Sequence, residues 1–303
     1  MSDGVREAEA AVRSCYSTWG HTYYEEYYGS GAPYPPVHAD LLRRLLDEDG
    51  AHTVLDAGCG PASFLRDLPK HIEGYGFDLT PEMVDAGREV LEAQGEPTDR
   101  LWVGSVVDPG AFQHPSGAPD RFDAAVCVGV LPHVPAEADA AVIANLRDSV
   151  VPGGLVAVEA RNELFALFTL NRYSRDLFVE RLIPTDGLRA SAGADDDVDA
   201  VLAQVEGMFR TDLPPVRKGK ADEPGYDEVL SRTHNPFELR AAFEAAGLVD
   251  VRVLFYHFHS VPPLAEGAAS AAVRAASLAM EEDPEDWRGY FMASAFFVVG
   301  RRT

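Results

Sequence analysis

Between residues 40 and 160, short apolar runs alternate with amphipathic helical stretches, and this alternation restricts the fold more than any other feature of the chain. The runs at 53–57, 74–77, 101–103, 122–128 and 155–160 are short and nearly continuous in their hydrophobicity, as strands buried on both faces are. Helical patterns lie between them at 62–68, 81–93 and 136–149, and another ends over 41–46. The 81–93 segment opens with Thr80 in the capping position and Glu82 in its first turn; Met83, Val84, Val90 and Leu91 are its apolar positions. Strands joined through helices pair in parallel with helices on both faces, which predicts a doubly wound α/β sheet. The rhythm returns with a helix at 236–246, a stop at Gly247 and strands at 249–258 and 293–299. The expected sheet is therefore seven-stranded and mostly parallel.

Residues 163–233 interrupt the rhythm. The stretches 164–173 and 177–182 read as helical and aromatic-rich, and a polar stretch with Asp195, Asp196, Asp197 and Lys218-Gly219-Lys220 follows. This piece is expected to be a largely helical insertion over the functional edge of the sheet, serving as a lid, with 1–162 and 234–303 forming the core. The three aspartates suit the positive end of a helix, a metal cluster being the alternative. Near the N-terminus Tyr16, Trp19, Tyr23 and Tyr27 recur at helical spacing, with Tyr24, Tyr28 and Tyr34 nearby. They suit either packing on the sheet or a cover over a ligand.

The chain has 303 residues, 46% of them hydrophobic, and 26 Lys and Arg against 49 Asp and Glu, a formal charge of −23. Such a surface repels phosphate backbones and anionic lipid heads, so neither nucleic acid nor a membrane is an expected partner. No run approaches the roughly 18–20 apolar residues of a membrane span, and the N-terminus lacks the apolar core of a signal peptide. Cys15, Cys59 and Cys127 are scattered and odd in number, which fits a reducing cytoplasm. The oligomeric state stays open, a homodimer included.

The chemistry concentrates at Val54-Leu55-Asp56-Ala57-Gly58-Cys59-Gly60-Pro61-Ala62, an apolar strand running into a Gly-x-Gly turn. Glycine is required where backbone bends sharply and where a ligand approaches the main chain with no Cβ between. Asp78 stands about 20 residues beyond Gly58, at the end of the second strand, where a carboxylate can bond both hydroxyls of a ribose. A dinucleotide fingerprint would want a third glycine where Ser63 stands. Asp56, two residues before the first glycine, is placed to orient the loop or receive a cationic amino group.

With these features the chain resembles the class I S-adenosylmethionine (SAM) dependent methyltransferases, over most of 40–160 and more loosely from 234 onward. The resemblance implies that Asp56, Gly58 and Gly60 hold the methionine part of SAM and that Asp78, with Leu79 beside it, holds the ribose. After the third strand such proteins usually read Gly-Asp-Ala, the Asp bonding the adenine amino group. Here the segment is Gly104-Ser105-Val106, so Ser105 or Asp108 takes that place and Val106 offers its backbone N–H. The stretch from Phe122 to Val134 resembles the motif lining the donor pocket, with Val128 in the wall and Pro132-His133 where two histidines are usual. Pro152-Gly153-Gly154 also fits.

The implied activity is methyl transfer from SAM to a small-molecule acceptor, on oxygen or nitrogen by preference, with carbon also open. A nicotinamide oxidoreductase and a non-catalytic partner of the same fold are the alternatives. His133, at the crevice edge, is the expected base; a capping or packing histidine is the other reading. Glu159 and Arg161, ending the fifth strand, either anchor an acceptor or pair with each other. Asn171, Arg172 and Tyr173 in the insertion are placed to read an acceptor. His257 and His259 alternate onto one face of the sixth strand and suit acceptor contact or packing; no third metal ligand is near them in sequence.

Overall fold

A computed structural model describes residues 2–17, 23–28, 35–113, 119–193, 197–212, 229–268 and 270–303. Trp19, Tyr34, Asp195, Asp196 and the 218–220 segment lie outside them, as does the side chain of Tyr27. The chain begins with α1 (Asp3–Tyr16), α2 (Tyr23–Tyr27) and α3 (Val37–Asp49), followed by β1 (Thr53–Ala57), β2 (Glu73–Asp78), α4 (Pro81–Gln94), β3 (Leu101–Val103), β4 (Phe122–Cys127), α5 (Asp139–Ser149) and β5 (Val150–Arg161). Four helices follow: α6 (Ala166–Thr169), α7 (Arg172–Leu177), α8 (Thr185–Ser191) and α9 (Val198–Glu206). The chain then runs through α10 (Pro236–Ala245), β6 (Leu248–Phe258), α11 (Ser270–Met280), α12 (Gly289–Met292) and β7 (Ala293–Arg302).

The seven strands lie in the order β3-β2-β1-β4-β5-β7-β6. Pairing is parallel from β3 to β5, and β7 runs antiparallel to β5, with Val158 opposite Val298. The order reverses between β1 and β4, so the crevice at the carboxyl ends of these two strands is the switch point where ligands enter open α/β sheets. Core packing explains the apolar runs. Val54, Leu55 and Ala57 of β1, Ala124 to Cys127 of β4 and Val156 to Val158 of β5 are all fully buried. No described helix is long and apolar enough to cross a membrane.

Two compact units divide the chain: Met1–Arg161 with Arg217–Leu254 and Ala295–Thr303, and Asn162–Val216 with Phe255–Ser294. In the second unit Asn162 acts as a staple. Its side-chain amide donates to the carbonyls of Gly289, Tyr290 and Ala293, at 3.1, 2.9 and 2.8 Å. Asn171 caps α7 by accepting from Tyr173 N, and Asp197 caps α9 by accepting from Ala200 N. The helix-capping reading of the 195–197 aspartates therefore holds for Asp197.

Three local expectations need correction. The helix expected over 62–68 is a series of turns with one short 3-10 segment at Leu65–Asp67, because Gly60 and Ala62 take left-handed backbone angles (φ 52° and 57°) that no α-helix contains. The Arg66 side chain donates to the carbonyls of Pro61 and Ala62 across this turn. Thr80 occupies the N-cap of α4, but its side chain does not cap the helix. The aromatic stripe over 16–27 is not one helix, since α1 closes at Tyr16 with Ser17 as its C-cap.

Candidate functional site

At the switch point the glycine turn hangs from the end of β2. The Phe77 carbonyl accepts from Gly58 N at 2.8 Å and from Cys59 N at 3.0 Å. Asp78 completes the clasp, with Oδ2 accepting from Gly60 N at 2.9 Å and Oδ1 from Thr80 N at 2.8 Å. Gly58 sits at φ 94°, and a Cβ there would stand 2.1 Å from Val130 Cγ2, so glycine is demanded by both backbone and packing. On the far side, Glu159 of β5 accepts from Gly129 N at 2.8 Å and pins the loop after β4.

These loops line an open-mouthed cavity at the switch point. Asp56, Gly58, Gly60, Asp78, Leu79, Ser105, Val106, Val128 and His133 all line it. Asp108, the alternative to Ser105, is not among the lining residues and instead accepts from Gly110 N. Asp56 is the most telling member. Its carboxyl is 2% exposed, and Oδ1 has no hydrogen-bond partner among the described residues. Burial, and then the neighbouring Asp78, push it up to about 8. Ser63 Oγ, also on the cavity wall, is likewise buried without a partner. Thr80 Oγ1 on the same wall is a third such atom. Buried polar atoms are nearly always satisfied, so these three groups mark places where a polar ligand would complete the bonding. The residues therefore fit the methionine end of SAM: Asp56 would accept from its ammonium, and the bare Gly58–Gly60 backbone leaves room for its chain. Asp78 is held above the usual carboxylate range by burial, against the two backbone N–H bonds that favour its charge. Those bonds leave a carboxylate further acceptor capacity for ribose hydroxyls.

His133 lies in a 3-10 turn, Leu131–His133, and is 8% exposed. Its Nδ1 stands 2.7 Å from the Leu230 carbonyl, which can only accept, so the Nδ1 proton is fixed there. In the neutral ring Nε2 then accepts, and the Tyr16 hydroxyl lies 3.2 Å from it. Burial lowers the ring to about 4, helped by Arg161 and opposed by the Leu230 bond, so His133 is neutral near pH 7. Tyr16, Tyr23 and Tyr28 line the same cavity.

The six residues expected to touch an acceptor are not among those lining this cavity. Glu159 serves Gly129, and Arg161 donates to Ser231 Oγ. In the second unit Arg172 donates to the Tyr173 hydroxyl at 3.1 Å and lies over that ring at 4.9 Å. The His259 ring lies 4.8 Å from that of Phe165. His257 sits at φ 55° and is lowered to about 4, mainly by burial and then by His259.

The sequence singles out Tyr16 as packing or a cover; the rest of the wall supplied by α1, namely Val5, Ala8, Glu9 and Val12, is missed by sequence reasoning. The signal was present: Ser2 caps the helix, accepting from Val5 N, and these positions recur at helical spacing.

Residues 54–154 match the family model described as "Methyltransferase domain". The ubiquinone biosynthesis O-methyltransferase of Xanthomonas campestris pv. campestris (strain B100) is 31% identical over 151 residues, 49% of this chain and 59% of that enzyme. The protein of the same name from Xylella fastidiosa (strain M23) is 30% identical over 152 residues, 49% of this chain and 57% of its own. The chain thus spans less than two thirds of these relatives. The magnesium protoporphyrin IX methyltransferase of Synechocystis PCC 6803, solved with bound S-adenosylhomocysteine (SAH), superposes with a TM-score of 0.51 at 16% identity. It covers 98% of this chain and 100% of that one. At that identity the likeness concerns the fold.

Proposed function

We propose that this chain, whose residues 54–154 match a methyltransferase domain, is a class I, SAM-dependent enzyme that moves the methyl group of SAM to a small-molecule acceptor bearing a hydroxyl or an amine, in the cytoplasm. The observation that carries the reading is the unpartnered Asp56 Oδ1, buried at the switch point beside a glycine turn and Asp78. The curated relatives are O-methyltransferases, which favours oxygen. Three scattered, buried cysteines suit a reducing compartment.

SAM supplies an electrophilic methyl whose sulfonium leaves as a neutral sulfide. The protein's share is alignment, worth about 7–11 kcal/mol in well-oriented reactions, and care of the acceptor's proton. Asp56 holds the amino group, Gly58 and Gly60 admit the chain, Asp78 holds the ribose, and Val106 and Val128 flank the base and the donor pocket. His133 takes the acceptor's proton on Nε2, directly or through the Tyr16 hydroxyl, because Leu230 keeps the other nitrogen protonated. A ring lowered to about 4 is a weak base. It therefore suits an acceptor whose proton leaves as the new bond to methyl forms.

Calorimetric titration with SAM, SAH and NADH, followed by SAH release with panels of phenols, alcohols and amines, tests the proposal. SAM and SAH should bind and NADH should not, and a hydroxyl-bearing acceptor should stimulate SAH release. Binding of NADH in place of SAM would return the oxidoreductase reading. SAM binding without turnover on any panel would favour a non-catalytic partner.

A further inference from the structure

Position 105 holds a serine, which by itself offers an adenine amino group only a weak neutral acceptor. The tertiary structure brings a carboxylate to the same place from another element. Glu9 of α1 accepts a hydrogen bond from Ser105 Oγ, lines the cavity, and has only 17% of its side chain exposed. Ser105 is fixed from its other side, its Oγ accepting from Val107 N at 3.2 Å. Arg13, one turn on, reaches Glu9 Oε2 only at 4.0 Å. An ionised carboxylate has roughly four acceptor positions, so Glu9 keeps capacity for a donor arriving from the cavity. Around it the lining is apolar: Val5, Ala8 and Val12 of α1, with Val106. An apolar slot with one acceptor-only group at its edge suits a flat heteroaromatic ring carrying an exocyclic amine.

We infer that Glu9 binds the 6-amino group of the donor's adenine and sets the preference for that base, Ser105 acting to orient it. The inference rests on the SAM reading above and adds a residue 96 positions away from the strand-end segment that such proteins use. It also makes α1 part of the donor site.

The test is calorimetric titration with SAH and with its purine analogue, which carries hydrogen in place of the 6-amino group. The wild-type chain should prefer SAH by about tenfold or more, the value of one charge-assisted hydrogen bond. Glu9→Gln, a neutral acceptor of the same shape, should keep a preference of a few fold, and Glu9→Ala should bind the two about equally. Adding Ser105→Asp to Glu9→Ala should restore the preference, an outcome that a purely structural role for Glu9 does not produce. Matched melting temperatures show that the variants fold. A wild-type preference that survives intact in Glu9→Ala, or a wild type without preference, overturns the inference while leaving the SAM reading standing. Failure of the wild type to bind SAH at all removes both.

Discussion

Asp56 illustrates how much a single residue draws from its position. In sequence it is one acidic residue before a glycine; in the fold it is a buried carboxyl raised to about 8, with one oxygen unpartnered. In the ligand-free protein at pH 7 it therefore holds its proton, and an ammonium placed against it favours the ionised form. Binding of SAM at pH 7 should accordingly release protons, seen as a dependence of calorimetric enthalpy on the buffer's ionisation heat. Asp56→Asn should largely abolish the release and weaken SAM by roughly 1.5–3 kcal/mol, the range for hydrogen bonds to charged groups. Proton release unchanged in that variant would place the titrating group elsewhere.

Among the elements, the segment that returns to the first unit over 229–234 shows how a motif residue acquires its role. Arg232 binds it to the loop after β4: its backbone N donates to Pro132 O at 2.8 Å, Nε to Val134 O at 2.7 Å, and Nη2 to Asp139. This anchoring holds the Leu230 carbonyl against His133 Nδ1 and so selects the tautomer in which Nε2 is the acceptor, facing the Tyr16 hydroxyl. Arg232→Met should lower kcat roughly 10- to 100-fold through misplacement of His133, with donor affinity nearly unchanged. A parallel loss of SAM binding would instead mean that the whole loop had collapsed. The link joins residues 97 apart, and neither the Leu230 nor the Arg232 surroundings carry a motif. No reading of spacing reaches it.

For the molecule as a whole, the buried ionisable groups give a stability profile with a definite sign. Asp56 (about 8, against 3.8 when unfolded) and Glu281 of the second unit (about 7, against 4.5) keep protons in the native chain that the unfolded chain has lost. Their contribution is complete below about pH 4 and fades as pH rises through the native values. His133 and His257, lowered to about 4 from 6.5, act in the opposite sense, costing stability only as pH falls below about 6.5. Between pH 6.5 and 8 the ligand-free protein should therefore lose stability, by up to about 1.4 kcal/mol per pH unit for each retained proton. Urea unfolding at several pH values checks this: Asp56→Asn should flatten the slope, and a rise in stability across the window would contradict the buried, protonated Asp56.

The strands of the parallel half, the glycine turn, Asp78 at the end of β2 and His133 at the crevice edge were all legible along the chain, because each depends on local periodicity or on spacing within one strand–turn–helix unit. Hydrophobic burial dictates short apolar runs, and a backbone turn against a ligand dictates glycine, whatever surrounds them. The placement of Glu9 against Ser105, the Tyr16 hydroxyl on His133, the Leu230 carbonyl behind it and the raised carboxyl of Asp56 were decided only by the tertiary structure. Each depends on which distant segments share a cavity and on how much water is excluded there, and a linear order of residues holds neither quantity.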